Sequence, residues 1–180
     1  MSFKRTTVYF EKPRKEHTEE TLRISLEAAK ERGIDTVLVS STTGYSDLEA
    51  LKVFDGISLK VIIVTNQTGY RALGVQLLPS ETRDRLEKAG MIVFTGTDVL
   101  TGRVEVDMSR QRPTVSSPQD GRFPFIVPPV THARDLIPPD KRVVSVAGSH
   151  AGSDTAMAIT PSTSNRIRDM KLHEILVKPY

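Results

Sequence analysis

Val37-Leu38-Val39-Ser40-Ser41-Thr42-Thr43-Gly44-Tyr45-Ser46 is the stretch on which the reading of the whole chain turns. Its apolar start reads as a buried strand, which breaks into hydroxyls around one glycine. Ser46-Asp47-Leu48-Glu49 then has the spacing of a capping box, which predicts a helix over 47–54 with Ser46 at its cap. A first helical turn carries free N–H groups and the positive end of the helix dipole. With the hydroxyls of Ser41, Thr42, Thr43 and Ser46 it suits a phosphate or another anion. Gly44 lets the backbone come close to such a group. The segment ends in no Gly-Lys-Ser/Thr and contains no GxGxxG. Strand-to-helix turns of this kind also occur in α/β proteins that bind nothing there, so the loop gains meaning only from its neighbours.

Outward from this stretch, strands and helices alternate. Residues 6–10 are β-branched and aromatic, an expected first strand stopped by Lys12-Pro13. Residues 17–32 switch to a helical pattern, with Leu22, Leu26 and Ala29 on one face, widened by Ser25, Ile24 and Ala28. Glu16, Glu19 and Glu20 at its start and Lys30 and Arg32 at its end complement the dipole; Thr18 is the expected N-cap and Gly33 the C-terminal stop. Residues 59–64 form a near-continuous apolar strand of the kind covered on both faces in parallel sheets. Pro79-Ser80 opens a helix that Gly90 stops, and 91–94 gives another short strand. Residues 142–147 return to a strand, and 156–159 and 174–177 read as terminal strands. This rhythm predicts a wound α/β sheet with right-handed crossovers, in a single domain over residues 1–180.

Two further polar turns follow strands. Thr65-Asn66-Gln67-Thr68-Gly69-Tyr70 is an ordinary surface turn if taken alone. Gly148-Ser149-His150-Ala151-Gly152-Ser153-Asp154-Thr155 packs two glycines, three hydroxyls and a histidine into eight residues, a loop fitted to a polar ligand. Between these, residues 103–140 hold seven of the eleven prolines, which excludes a regular helix throughout. The excursion is expected to include a short strand at 123–127 and a helical turn at 132–136, and to pack on a second subunit through its apolar Phe-Pro-Phe-Ile-Val.

Composition narrows the chemistry. The chain has 180 residues, enough for a proper core, and a net charge of +3 with acids and bases interspersed; no basic stripe points to nucleic acid. It contains no cysteine, so disulfides, thiolate metal sites and thiol nucleophiles are excluded. Four histidines lie at spacings that match no usual metal motif, and no metal is expected. No apolar run approaches a membrane span, and the first ten residues lack the apolar core of a signal peptide; a cytoplasmic protein is the expectation.

Several of these segments, in order, resemble the stand-alone relatives of the pyruvate kinase carboxyl-terminal domain. They are YFEKP with HTEETL near the start, VLVSSTTGYSDLEAL, VIIVTNQTGY and VVSVAGSHAGSDTAMAITP, and the likeness covers about three quarters of the chain. It implies a three-layer α/β/α fold with strand order 3-2-1-4-5, the last strand antiparallel, and an extra strand at the amino terminus. Strand 1 would be 36–40, strand 2 59–64, strand 3 near 91–94, strand 4 142–147, and strand 5 would follow Thr155. Strands 1 and 4 would then be neighbours at the switch point, with the 41–46 and 148–155 loops facing across one crevice.

What the resemblance implies for function is a phosphorylated ligand in that crevice, FMN by analogy with small archaeal relatives. Ser41, Thr42, Thr43, Gly44 and Ser46 match the phosphate loop; Thr68, Gly69 and Tyr70 match the second motif; Gly148, Gly152, Asp154 and Thr155 match the third. Tyr45 and Tyr70 are placed to flank a flat ring, and Ser149 and His150 complete the third loop. Ala147, His150 and His17 depart from the residues usual in relatives, and the long middle helix is replaced by the proline-rich excursion. Pyruvate kinase activity is excluded, because the chain has no room for the catalytic barrel. Ser149, His150 and Asp154 lie too close on one loop to form a nucleophilic relay. His150 alone remains a general acid or base, or a phosphate contact. The expectation is therefore a module for a phosphorylated small molecule. A flavin-dependent oxidoreductase and an oligomeric sensor of a sugar phosphate or nucleotide are the alternatives.

Overall fold

A computed structural model describes residues 5–66, 68–69, 71–95, 136–137, 140–148, 152–160 and 171–180. In chain order they form β1 (Val8–Phe10), a 3-10 turn (Lys15–His17), α1 (Thr18–Arg32), β2 (Thr36–Ser41), α2 (Tyr45–Phe54), β3 (Lys60–Thr65), α3 (Ser80–Lys88) and β4 (Ile92–Thr95). β5 (Val143–Ala147), β6 (Thr155–Thr160) and β7 (Lys171–Pro179) complete them. The strands make one seven-stranded mixed sheet in the order β1-β7-β6-β5-β2-β3-β4. β2, the first strand of the quoted stretch, lies between β3 and β5 and is parallel to both, with Leu38 opposite Ile62 on one side and Ser145 on the other. β6 runs antiparallel to both β5 and β7, and β1 pairs parallel with β7.

The alternation of side chains along buried strands sorts them into two cores. Val37, Val39, Val61, Ile63, Val144 and Val146 point to one face, where they meet Leu22, Ala29, Ala50, Phe54 and Leu86 from all three helices. Leu38, Ile62, Val64, Val143, Met157 and Ile159 point to the other face, where Leu136 and Ile137 pack on them. The chain steps from β1 to β2, β3 and β4 in one direction across the sheet, so right-handed crossovers put α1, α2 and α3 on the same face. Leu136 and Ile137, shortly before β5, lie on the opposite face. Among the described residues the helices thus form one layer, not the two expected; the rest of the 103–140 excursion, with its expected strand and turn, lies outside them.

Two expected helix starts move. α2 begins at Tyr45 with Gly44 as N-cap at φ 97°, so Ser46 lies inside the first turn and makes no capping bond. The left-handed glycine ends the loop earlier than the Ser46–Glu49 spacing suggested. α1 has His17 as its N-cap, its ring stacked on Phe10 with centroids 3.9 Å apart; Thr18 is the first helical residue. The buried stripe of α1 also turns from Leu26 toward Thr18, Thr21 and Ser25, all fully buried. At the far end of α1, Arg32 donates to both oxygens of Glu174 on β7 at 2.7 and 2.8 Å, and Arg5 joins the same carboxylate. Burial alone would raise the Glu174 carboxyl, but the two guanidinium groups outweigh it and hold it below its ordinary value. No helix among the described residues is long and apolar enough to cross a membrane.

Candidate functional site

The parallel pairing of β2 with β5 brings the ends of Ser41 and Ala147 to one edge of the sheet. The loops that follow are joined there by side chains. Ser153 Oγ donates to Ser46 Oγ at 3.0 Å, and the Ser153 N–H donates to Thr18 Oγ1 at 2.9 Å. Thr18 in turn donates to the carbonyl of Lys15 at 2.7 Å, so the third loop, the α2 start and the α1 start form one hydrogen-bonded corner. The second loop reaches it through Asn66, whose amide donates to Thr42 Oγ1 at 3.4 Å.

The expected site residues take different roles in this corner. Thr43 is exposed and Thr42 half-buried, so their hydroxyls border solvent at the mouth of α2. Ser41 and Ser46 are buried. The Ser46 hydroxyl, expected to meet a ligand, accepts from Ser153 Oγ. Replacing Ser46 with Ala leaves the buried Ser153 hydroxyl without its acceptor, and a loss of about 1–3 kcal/mol in urea denaturation is the expected outcome. Tyr45 is half-buried with the Lys15 ammonium 4.0 Å from its ring centroid. One face of the ring is therefore taken by a cation.

In the third loop the glycines serve close backbone packing. A Cβ at Gly148 would lie 1.7 Å from the Gly152 carbonyl oxygen, and one at Gly152 would lie 2.5 Å from Thr18 Oγ1. Gly44 differs, since a Cβ there would meet only the side-chain ends of Leu78 and Thr82 at 3.3 Å, and its φ of 97° is what calls for glycine. Asp154 and Thr155 are buried at the start of β6, with Thr155 Oγ1 donating to Asp154 Oδ1 at 3.0 Å. In the second loop Gly69 has φ 89° and its N–H closes on the Val75 carbonyl at 2.9 Å, while Thr68 is exposed and accepts from Gln76. Tyr70, Ser149 and His150 lie outside the described residues.

Three residues that sequence reasoning passed over complete the corner. Ser153 carries the joint between loops; its signal was the count of hydroxyls in that motif. Lys15 places a cation beside the first turn of α2, and only its closeness to the helix start hinted at that. Asp47 is fully buried, and among the described residues neither carboxylate oxygen closes a well-formed hydrogen bond. Its burial pushes the carboxyl up to about 7, and the nearby Ser41 hydroxyl offsets this only in part. An aspartate at a helix start reads as a solvated cap, so nothing in the sequence marked it.

Chemically, the corner offers the N–H groups of an uncapped first helical turn, two threonine hydroxyls, a lysine and a carboxyl that is half neutral near pH 7. Such a set favours holding an anion over attacking a substrate. No protein-family model matches the chain.

Proposed function

We propose that the chain binds a phosphorylated small molecule at the carboxyl edge of β2 and β5, with FMN the first candidate. The phosphate is seated on the first turn of α2 and on the hydroxyls of Thr42 and Thr43. The observation that carries this reading is the start of α2: Gly44 caps it, and among the described residues no side chain turns back onto its N–H groups, beside the third loop. Uncapped N–H groups at a helix start favour an anion through both hydrogen bonds and the dipole. The run β4-β3-β2-β5-β6, with β6 antiparallel, has the same pattern as the 3-2-1-4-5 order of the pyruvate kinase carboxyl-terminal domain relatives, which supports FMN over an unspecified anion. The half-buried ring of Tyr45, in the same first turn, is an aromatic surface for a planar ring.

The test is equilibrium binding of FMN and of inorganic phosphate to the purified chain and to its Thr43→Ala variant. Loss of a hydroxyl bonded to a charged group weakens binding by about 1.5–3 kcal/mol, roughly ten- to a hundredfold. Thr43 is exposed, so the variant keeps its fold. Equal affinity of both proteins would move the site elsewhere. Binding of FMN without phosphate competition would detach the ring from the proposed phosphate seat.

A further inference from the structure

Asp47 is the least explained group in the described structure. It lies in the first turn of α2 and is fully buried, with the Ser41 hydroxyl as its one polar neighbour among the described residues, too poorly aligned to close a regular hydrogen bond. Leaving a charged carboxylate in that state costs several kcal/mol, which a purely structural position would avoid with Asn, Ser or Ala. Ser41, at the end of β2, is the polar group that acts on it. The anion seat of the proposed function is built on the same first turn of α2 that carries Asp47.

We propose that Asp47 is the proton-carrying member of this site, so that an anion settling on the first turn of α2 draws a proton from solvent onto the Asp47 carboxyl. The inference rests on the proposed anion site and adds its regulation: the anion is held tightly at acid pH and released as pH rises. Two negative charges sharing one helix start repel in a poorly solvated corner, and the proton removes one of them. Among the described residues, the elements packed on α2 bring no cation to Asp47. On the α1 side Thr18 is engaged by Ser153, and Lys15 lies over Tyr45 with Glu16 and Glu19 near that ring. On α3, Arg83 is engaged by Val93, Thr95 and Glu87. In the third loop, Asp154 bonds Thr155. Burial, eased by Ser41, is what sets the protonation of Asp47.

Sulfate is the probe, because its charge does not change near neutrality. For wild-type protein, affinity is expected to fall about tenfold between roughly pH 6 and pH 8. Titration calorimetry in two buffers of different ionisation enthalpy is expected to show uptake of about half a proton per sulfate near pH 7, a measurement that needs no variant. Asp47→Asn is expected to bind with nearly constant affinity over the same range and with the proton uptake gone. It keeps every histidine, so any pH dependence of theirs would survive in it. Binding with no proton uptake in wild type overturns the inference and leaves the anion site standing, provided Thr43→Ala still weakens it. Absence of sulfate and FMN binding at every pH removes both.

Discussion

Asp47→Asn is expected to stabilise the chain at pH 8 by about 3 kcal/mol relative to its effect at pH 5, read from urea denaturation midpoints across that range. In the folded chain burial raises the carboxyl to about 7, against an ordinary value of 3.8. The folded state therefore holds a proton that the unfolded chain has already lost throughout the interval between those values. The sign follows: the stability contributed by protonated Asp47 is fully present below the unfolded value, declines by about 1.4 kcal/mol per pH unit, and is gone above the folded one. Asn resembles the protonated side chain and carries no such slope, so the two proteins diverge steadily from pH 5 up to about pH 7 and run parallel above it. Other groups leave this comparison intact. His173 has its protonation pushed down, chiefly by burial, and so adds stability as pH rises toward 6.5, but it does so equally in both proteins. Glu174 is held below its ordinary value and loses its contribution only in more acid solution. Parallel curves for wild type and variant would mean that the Asp47 carboxyl is hydrated in solution.

The same residue shows where the sequence was readable and where it was not. β2, β3 and β5 were legible because a strand buried on both faces must be an apolar run, and 37–39, 61–64 and 143–146 are such runs. α1 was legible at its end, where Gly33 takes φ 62° after Lys30 and Arg32. Its buried face was read only in part: Leu22, Ser25, Ala28 and Ala29 lie on it as expected, but periodicity arguments search for apolar side chains and so missed the fully buried Thr18 and Thr21. α2 was placed two residues late for a related reason. The spacing of Ser46 and Glu49 is a local signal, and it lost to Gly44, whose positive φ is visible only in three dimensions. The hydroxyl-rich loops were found as a set, but which hydroxyls face solvent and which tie loops together depends on strand order and could not be read residue by residue.

Gly152→Ala is expected to lower stability by about 3 kcal/mol, and Gly90→Ala by only about 1 kcal/mol, although the two glycines have almost the same backbone, φ 80° and 82°. The matched φ means that both variants meet the same left-handed strain. What differs is the space. A Cβ at Gly90 meets nothing within 4 Å, whereas one at Gly152 lies 2.5 Å from Thr18 Oγ1 and 3.0 Å from Lys15 Cα. Thr18 is held at both ends, by the Lys15 carbonyl and the Ser153 N–H, so it cannot rotate away without breaking the joint. In melting temperature the pair corresponds to losses of roughly 6–12 °C and 2–4 °C for a chain of this size. The comparison also reaches the ligand site. Moving Gly152 off the start of α1 draws Ser153 away from Ser46 and opens the corner that holds the first turn of α2, so Gly152→Ala should weaken FMN binding at temperatures where it remains folded, while Gly90→Ala should not. Equal penalties for the two variants would show that the third loop is not seated on Lys15 and Thr18, and the corner on which anion binding is argued would then lack its third side.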